Sequence, residues 1–539
     1  MKTYILISVC LSSLIWLAAD NINDKDSISR VQVSDENKTS SEDAFFVQSW
    51  NVVGVSLVEY RDIQNILNKY TGKKISFKEV KNAGLDIEKY YQDMGFLAKV
   101  NIPPQDVTNG AVQLEILEAR LGKIKIEKDG SSLVEDQKIL SIVRGSLKEG
   151  EYYEANSLNR GLLLSDDLPG VSLTGFLQEG NKSGLVDLSL KTLKEESSTM
   201  ELSIDNANAR ALGSERMVFS GSLISPLRQA EIISINSLVS EGSFFRSLSI
   251  SFPFGGEGLK LRFNVSRLDY DVITKEFASL GIAGVVDGKE VELSYPIHRS
   301  NKSNLNFSLL ADDRSYLTKV GGSQVKNSSI NSFKTEFSGN YFDQLGGGGA
   351  NAASISFTRG KLDGFGVLPA LIGKYDIYNY SLTRQQALTE KLSLYGSIRG
   401  QFTDGLSSGS GQEDYLDSAE NFSLGGLYGV RAYPSGEATG AQGQLISMEF
   451  RYLINTGLIF KPHYDWGKVK KRNLSSGGPN EYELSGTGVG FSWGGPWETN
   501  VDAVYSRRIG RNPNPQASGS DQDGSFKENR FWFSLSRSF

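Results

Sequence analysis

The chain has 539 residues and a net charge of −6, from 57 basic and 63 acidic residues. The basic residues form no block, so the charge pattern does not favour a nucleic-acid partner. After the first twenty residues no apolar run of about 20 residues occurs, which leaves no segment for a transmembrane helix. A Ser/His/Asp triad or a zinc site would have to use His298 or His463, and each lies in an apparent strand with no neighbours at ligand spacing. We therefore expect no enzyme, no metal and no cofactor.

The first 44 residues predict an export signal followed by a polar linker. Residues 1–19 are typical of a secretory signal peptide: Lys2 supplies the positive start, and an apolar stretch and two small residues follow. Cys10 lies in that stretch. A lipid anchor at Cys10 is the alternative, which the continuing apolar run disfavours. Residues 20–44 predict a linker, with a pore-plugging helix as the alternative.

Two α+β modules of about 75 residues each are predicted next, at 45–120 and 121–197. In the first module Ser76 and Glu79 have the spacing of a capping box, which predicts the start of a helix. The order of elements is β-α-α-β-β. The second module repeats this order, with a turn at Pro169-Gly170.

From residue 198 to residue 539 a two-residue alternation replaces helical spacing. In one segment Met448 and Phe450 share a face, and Glu449 and Arg451 share the other. Sixteen such strands are predicted, with boundaries uncertain by about 2–4 residues. Such strands also occur in soluble sandwiches, so the connections between them decide the fold class.

The predicted connections alternate between short turns and long loops. The long ones are 271–288, 313–330, 361–373, 403–441, 469–481 and 509–529. Loops segregated to one side are typical of an outer-membrane barrel. The sequence therefore predicts an all-β transmembrane barrel of sixteen antiparallel strands. The even count places both ends of the barrel, and the two modules, in the periplasm.

The last strand ends on an aromatic residue. Phe531, Phe533 and Phe539 share the face that we expect to contact outer-membrane lipid. Arg537 interrupts this face, and we expect it near the lipid headgroups, where a charge costs little. A terminal aromatic residue resembles the signal by which outer-membrane proteins engage the barrel assembly machinery, so Phe539 is the predicted assembly signal.

Two motifs are candidates for function. The long loop 403–441 contains the tetrad Val430, Arg431, Ala432 and Tyr433. This tetrad is either an exposed tip or a segment folded into the barrel lumen. In the second case Arg431 would pair with an acid on the wall.

The candidate acid is Asp465, on the thirteenth predicted strand, followed by Gly467. Aspartate and glycine are poor strand formers. A kink or an ordinary polar lumen face is one explanation for them. A specific ion pair, with room made by the glycine, is the other.

The chain resembles the two-partner secretion transporters, the TpsB family of hemolysin and adhesin exporters. The stretch YYQDMGFLAKVNIPPQD is similar to the end of that family's first POTRA domain, and Leu158-Asn159-Arg160 with Asp167-Leu168-Pro169-Gly170-Val171 is similar to its second. The family's VRGY-like tetrad is met by Val430, Arg431 and Tyr433, with Ala432 in place of glycine. Its F-x-D-x-G pattern is met by Asp465 and Gly467, with His463 in place of phenylalanine.

The resemblance implies an outer-membrane transporter with two periplasmic POTRA domains. Such a transporter binds the N-terminal secretion domain of a large exoprotein and exports that protein through the barrel to the cell surface or medium. Activation of a hemolysin or adhesin coupled to export stays open. An assembly factor that inserts other barrels and a passive porin are the alternatives, although the former usually carries more POTRA domains and the latter needs none.

Overall fold

The computed structural model describes residues 44–127, 132–367, 371–406, 416–471 and 480–539. The predicted signal peptide and, except for Ala44, the predicted linker lie outside the described residues. The chain divides into two compact units, one containing the α+β modules and the other the barrel. Among the described residues, no helix is both long and apolar enough to cross a bilayer.

The first module has a three-stranded sheet with two helices packed on it. Its elements are β1 (Phe45–Val47), β2 (Ser49–Val53), α1 (Tyr60–Leu67), β3 (Lys73–Ile75), α2 (Phe77–Asp93), β4 (Ala98–Asn101) and β5 (Ala111–Glu118). Strand β2 pairs in parallel with β5, and β4 pairs antiparallel with it. The predicted capping box is confirmed: the Ser76 N–H donates to Glu79 Oε2 over 2.8 Å, and Ser76 Oγ accepts from the Glu79 N–H. Ile63, Ile87 and Leu114 are fully buried between helices and sheet.

The second module has the predicted order β-α-α-β-β and a sheet of three strands. Its elements are β6 (Arg120–Glu127), α3 (Asp136–Ser146), α4 (Ala155–Asp166), β7 (Ser172–Glu179) and β8 (Leu185–Leu193). Strand β8 is central, parallel to β6 and antiparallel to β7. The buried side chains of Val143, Leu188 and Leu190 form the core between helices and sheet. Each module thus has its own apolar core.

A buried carboxylate lies where the first module ends. Glu118 ends β5 and accepts hydrogen bonds of 2.8 Å from the backbone N–H groups of Ser56 and Leu57, and one of 2.9 Å from the Tyr91 hydroxyl. Burial opposes ionisation of Glu118, but these hydrogen bonds outweigh it and hold its pKa below the usual value. Burial, and then the bond to Glu118, raises the pKa of Tyr91. The Tyr152 hydroxyl of the second module contacts Ser56 Oγ at 3.1 Å.

The second unit is a closed antiparallel barrel. Its strands and the short pair inside its longest loop are β9 (Ser198–Asp205), β10 (Arg216–Ile224), β11 (Ile232–Ser240), β12 (Ser243–Phe254), β13 (Leu259–Asp271), β14 (Ile282–Arg299), β15 (Ser303–Val320), β16 (Ser323–Asp343), β17 (Gly349–Phe365), β18 (Gly373–Ala387), β19 (Leu392–Leu406), β20 (Phe422–Ser423), β21 (Thr439–Gly440), β22 (Gln442–Asn455), β23 (Leu458–Lys470), β24 (Glu481–Gly494), β25 (Thr499–Arg508) and β26 (Asn529–Ser538). All except β20 and β21 belong to the barrel, so the predicted count of sixteen strands is confirmed.

Apolar side chains point outward and alternate with polar or small ones that point inward. In β26, Phe531 and Phe533 are exposed on the outer face, whereas Trp532 between them is 5% exposed and points into the barrel. In β22, Met448 and Phe450 are exposed outside and Glu449 is buried inside. This alternation gives the lipid-facing apolar band that a membrane barrel requires.

The barrel closes between its last and first strands. The ladder joins Ser534–Ser538 of β26 to Glu201–Asp205 of β9. Beyond Asp205 the side chain of Asn206 continues the pairing: its amide group donates to the Phe531 carbonyl over 3.0 Å and accepts from the Phe533 N–H over 2.9 Å. The outer end of the seam is therefore held by a side chain.

The prediction of a long loop at 313–330 is wrong. Strand β15 continues to Val320 and β16 starts at Ser323, so only Gly321 and Gly322 form the turn, both with positive φ. The segment lacks apolar alternation because its outer face lies beyond the lipid and its inner face contacts the polar start of the loop at 416–441, although the ladder continues. The predicted loop 271–288 also shortens, since β14 begins at Ile282; it contains α5 (Lys275–Ala278).

Candidate functional site

The connection between β19 and β22 carries the predicted tetrad, and we call residues 416–441 of it the lumen loop. Its tip, residues 424–438, is a tight turn: the Val430 N–H donates to the Leu424 carbonyl over 2.7 Å. Glycine is required in this turn, because a Cβ on Gly429 would collide with the Leu424 carbonyl and one on Gly425 with the Pro434 carbonyl. The tip lies inside the barrel, where Val430, Ala432 and Tyr433 are buried.

Arg431 lies against the inner wall and contacts two carboxylates. Its Nε and Nη2 atoms each donate to Asp465 over 2.9 Å, in a bidentate arrangement, and its Nη1 donates to Glu449 over 2.9 Å. Its backbone N–H also donates to Asp465 over 3.1 Å. Asp465 on β23 is completely buried, and Glu449 comes from the neighbouring strand β22. The structure therefore brings Arg431 and Asp465 together and adds a second acid.

Glu449 also holds a second arginine. Its Oε1 accepts from Arg451 Nε over 2.8 Å, and Arg451 Nη1 donates to Gln385 over 2.9 Å. The guanidinium of Arg451 lies 4.2 Å from the centre of the Tyr395 ring. Two arginines and two carboxylates thus alternate along this part of the wall, so each buried charge has an opposite partner.

The wall has small residues where the tip contacts it. A Cβ on Gly467 would lie 2.5 Å from Leu424 Cδ2, so this glycine makes room for the loop. Ala432 has no positive φ, so its backbone accepts a side chain without strain. Its methyl group faces Gly486 of β24, where an added Cβ would lie 2.6 Å away. The substitution of alanine for the family's glycine is therefore accommodated by a glycine on the wall.

The last strand also contacts the tip, and His463 lies on the wall near the site. Trp532 Nε1 of β26 donates to the Arg431 carbonyl over 2.7 Å. His463, two residues before Asp465, is buried, and its Nε2 lies 2.9 Å from Ser506 Oγ. The other histidine, His298, is exposed and lies 3.0 Å from Ser303 Oγ. Across the described residues, no group of three or more His, Cys, Asp and Glu side chains is arranged to hold a metal ion.

The start of the lumen loop has its own anchor on another part of the wall. Glu420 accepts from Arg314 Nη2 of β15 over 2.6 Å, and Asp417 accepts from Lys326 Nζ of β16 over 2.9 Å. Gln401 Nε2 donates to the Glu420 carbonyl over 2.8 Å. The described part of the loop is therefore attached to β15, β16 and β19 at its start and to β22 and β23 at its tip.

Sequence reasoning found Arg431 and Asp465 but did not assign a role to Glu449, Trp532 or Glu420. The alternation in β22 marks Glu449 as an inward-facing residue, and β22 pairs with the strand that carries Asp465. Together these two features indicate that Glu449 lies near the site. The other two contacts depend on the path of a long loop, which residue periodicity does not record.

A closed sixteen-stranded barrel, two α+β modules before it and a loop tip attached to the inner wall define an outer-membrane protein that transports polypeptides. The chain belongs to the haemolysin secretion/activation protein family ShlB/FhaC/HecB, whose profile matches residues 184–493. The ShlB-type POTRA domain matches residues 45–119. The chain is thus an outer-membrane transporter of two-partner secretion with its POTRA domains in the periplasm, and its partner is a secreted exoprotein.

Named relatives agree with this assignment. The heme/hemopexin transporter protein HuxB of Haemophilus influenzae is 24% identical over 499 residues, which cover 89% of this chain and 84% of HuxB. The outer membrane transporter CdiB of Dickeya dadantii is 20% identical over 401 residues, covering 72% and 69% of the two chains. The solved structure of CdiB from Escherichia coli has the same fold, with a TM-score of 0.73, 15% identity and coverage of 99% and 98%.

Proposed function

We propose that this transporter captures the N-terminal secretion domain of a large, unfolded exoprotein with its POTRA domains and exports the protein through a barrel gated by the lumen loop. The observation that carries the gate is the attachment of Arg431 to Asp465 and Glu449 inside the barrel. The tetrad Val430, Arg431, Ala432 and Tyr433 is the gating segment, and Asp465 with Gly467 is its docking site on the wall.

Capture of the exoprotein uses the periplasmic modules. Strands β4 and β7 are edge strands of their three-stranded sheets, and an extended peptide adds to such an edge through main-chain hydrogen bonds. A groove between elements is the second way for the modules to bind the peptide. The sequence contains no G-x-x-x-x-G-K-[ST] motif, so folding of the exoprotein outside the cell supplies the direction of transport.

The gate is held by charges that few water molecules reach. Removing one partner of a buried ion pair costs about 3–5 kcal/mol, because the other partner stays buried without a counter-charge. Water in the lumen reduces this cost. An attachment of this strength keeps the tip at the wall at rest and still allows a passing chain to displace it.

The last strand carries the features proposed for assembly and for contact with lipid. Phe539 is the signal for the barrel assembly machinery: it ends the seam strand, and its N–H donates to the Met200 carbonyl of β9 over 2.9 Å. Outer-membrane lipid covers the apolar band. Arg537 is supported near the headgroups by the Phe539 ring, whose centre lies 4.7 Å from the guanidinium.

The test compares culture supernatants of the source bacterium by quantitative mass spectrometry, with the wild-type gene, a deletion and Arg431→Ala. We expect one large exoprotein to disappear in the deletion and to fall at least about tenfold with Arg431→Ala, which corresponds to about 1.4 kcal/mol. Arg431→Ala is expected to reach the outer membrane in normal amount. Normal export by this variant would contradict the gate.

The control is Arg246→Ala, which removes an exposed ion pair with Asp269. Exposed pairs contribute about 0–1 kcal/mol, so export is expected to stay at the wild-type level. The outer-membrane proteome of the deletion separates transport from barrel assembly. Loss of many outer-membrane proteins, rather than one secreted protein, would favour an assembly factor.

A further inference from the structure

A second attachment of the tip involves the last extracellular loop, residues 509–528, which we call the closing loop. Glu437 at the end of the tip is buried, with 1% of its surface exposed. Its Oε1 accepts from Asn512 Nδ2 and its Oε2 from the Gln522 N–H, both over 2.8 Å. Both carboxylate oxygens of Glu437 are therefore bound by the closing loop.

The closing loop is itself fixed to the two strands that it connects. Asp521 is buried and accepts from both terminal nitrogens of Arg508, at 3.0 and 2.7 Å, and from Arg530 Nη2 at 3.0 Å. Arg508 ends β25 and Arg530 lies at the start of β26. Asn512 also donates to Asp521 over 2.8 Å. Asn512, which binds Glu437, is thus positioned by Asp521, the carboxylate that attaches the closing loop to β25 and β26.

A stacking contact also links the base of the closing loop to the tip of the lumen loop. The guanidinium of Arg508 lies 4.7 Å from the centre of the Tyr433 ring, in the gating tetrad. Tyr433 is 1% exposed. The guanidinium of Arg508 therefore contacts the Tyr433 ring and also binds Asp521 through its terminal nitrogens. A displacement of the closing loop would thus change the surroundings of the tip.

We propose that the closing loop is a clasp that holds the tip of the lumen loop in its docked position, and that Glu437 is the positioning residue that the clasp grips. This inference rests on the proposed gating function. It adds a requirement that the Arg431 site alone does not impose: the Glu437 contacts must break before the tip leaves the wall.

The reason lies in the placement of the two attachments. The Arg431 site fixes the tip to β22 and β23, whereas the clasp fixes it to β25 and β26. A tip that left β23 alone would keep Glu437 bound and stay across the lumen. Glu437 is a buried carboxylate with two donors directed at it, and it loses both hydrogen bonds when the tip is released. Clasp and tip therefore open together or in sequence.

The first experiment records single-channel currents of the purified full-length protein in planar lipid bilayers. Glu437→Gln keeps the size of the side chain but directs an N–H₂ group toward one of the two donors. We expect its open probability to rise about tenfold, equal to about 1.4 kcal/mol. The matched control is Glu528→Gln, the same change at an exposed carboxylate of the closing loop. Equal open probabilities for Glu437→Gln and wild type would overturn the clasp.

A second experiment closes the clasp covalently. The chain has a single cysteine, in the predicted signal peptide, so the paired variant Glu437→Cys/Asn512→Cys can be cross-linked selectively with a short bismaleimide that contains a reducible spacer. Before cross-linking, its open probability is expected to exceed that of wild type. After cross-linking, openings fall below the wild-type frequency and return on reduction. Unchanged openings after cross-linking would contradict the clasp.

The control pair is Ser222→Cys/Ser234→Cys, whose hydroxyls lie 2.8 Å apart on the neighbouring strands β10 and β11. The same reagent is expected to leave the openings of this control channel unchanged.

The gate at Arg431 and the clasp at Glu437 would be contradicted by different results. If Arg431→Ala abolishes export but Glu437→Gln behaves as wild type, only the clasp is wrong. If Arg431→Ala exports normally while Glu437→Gln opens the channel, the clasp stands as a closure of the channel and the Arg431 gate is wrong.

Discussion

Ala432 and Gly486 face each other where the tip of the lumen loop meets strand β24, and a Cβ atom on Gly486 would lie 2.6 Å from that of Ala432. Real Cβ atoms do not approach so closely, so the two positions have room for one methyl group between them. In this protein the loop carries that methyl group, on Ala432, and the wall has a glycine at position 486.

This complementarity predicts the outcome of a double-mutant cycle. Gly486→Ala alone is expected to destabilise the docked tip by about 1–3 kcal/mol, the usual cost of overpacking. Adding Ala432→Gly moves the methyl group to the wall and restores most of the loss. The measurement is the open probability in planar bilayers together with exoprotein export. Gly396→Ala is the control, since a Cβ there has nothing within 4 Å. Strictly additive effects of the two substitutions would rule out the contact.

Arg431→Lys is expected to export nearly as poorly as Arg431→Ala. Arg431 contacts Asp465 through two nitrogen atoms and Glu449 through a third. A lysine ammonium is a point charge without this planar fork and cannot reproduce the bidentate contact. Export of the exoprotein is measured in culture supernatants beside the amount of transporter in the outer membrane. Full export by the lysine variant would mean that charge alone is sufficient.

The end of the first POTRA module, where Glu118 binds the Ser56 and Leu57 amides, is expected to loosen in acid. The folded-state pKa of Glu118 is lowered, while an unfolded glutamate has a pKa of about 4.3. The stabilisation from Glu118 is therefore fully present above about pH 4.3 and is lost as the pH falls through the lower folded-state pKa. Hydrogen exchange of the Ser56 and Leu57 amides, corrected for intrinsic rates, reports this loss.

Glu118→Gln is the matched variant for this test. It removes the titrating group, so the protection of the Ser56 and Leu57 amides becomes lower at neutral pH and independent of acid. The Leu114 amide in the neighbouring strand β5 is the internal reference. An unchanged acid response in Glu118→Gln would assign the loosening to another group.

Arg314→Met is expected to release the start of the lumen loop. Glu420 is 3% exposed and is left without its cation, at a cost of up to about 3–5 kcal/mol before water enters. Chymotrypsin added to intact cells then cleaves at Phe422, which is buried in the wild type. Lys361→Met, which removes an exposed pair with Asp363, is the control. Resistance of Arg314→Met to cleavage would show that the other contacts hold this segment.

The strand count and the side of each residue could be predicted from the sequence, because lipid imposes apolar alternation on one face of every strand. The same reasoning failed at 313–330, where β15 and β16 continue outside the bilayer. The outer face there meets water, and the inner face binds the start of the lumen loop through Arg314 and Lys326. The ladder of backbone hydrogen bonds therefore persists without apolar alternation in the side chains.

The site was predictable where a strand carried it, or where the loop matched the family's tetrad at Arg431. Asp465 and Gly467 interrupt an otherwise regular strand, and this irregularity is visible in the sequence. Glu437 and Asp521 lie in loops, and their contact depends on how two distant connections fold together. No local spacing encodes such a contact. Trp532 alternates with Phe531 and Phe533, which places it on the inward face, but its hydrogen bond to the Arg431 carbonyl depends on the loop entering the barrel.

The hairpin of β15 and β16 has a practical use. Each of its strands has at least 18 residues, whereas about 9–11 residues cross a bilayer. The surplus projects the Gly321-Gly322 turn well beyond the lipid headgroups, on two strands that already satisfy each other's backbone groups. Antibodies and phages approaching the cell would meet this turn early. It is also a favourable place to insert an epitope tag that reports, on living cells, whether each variant has reached the surface.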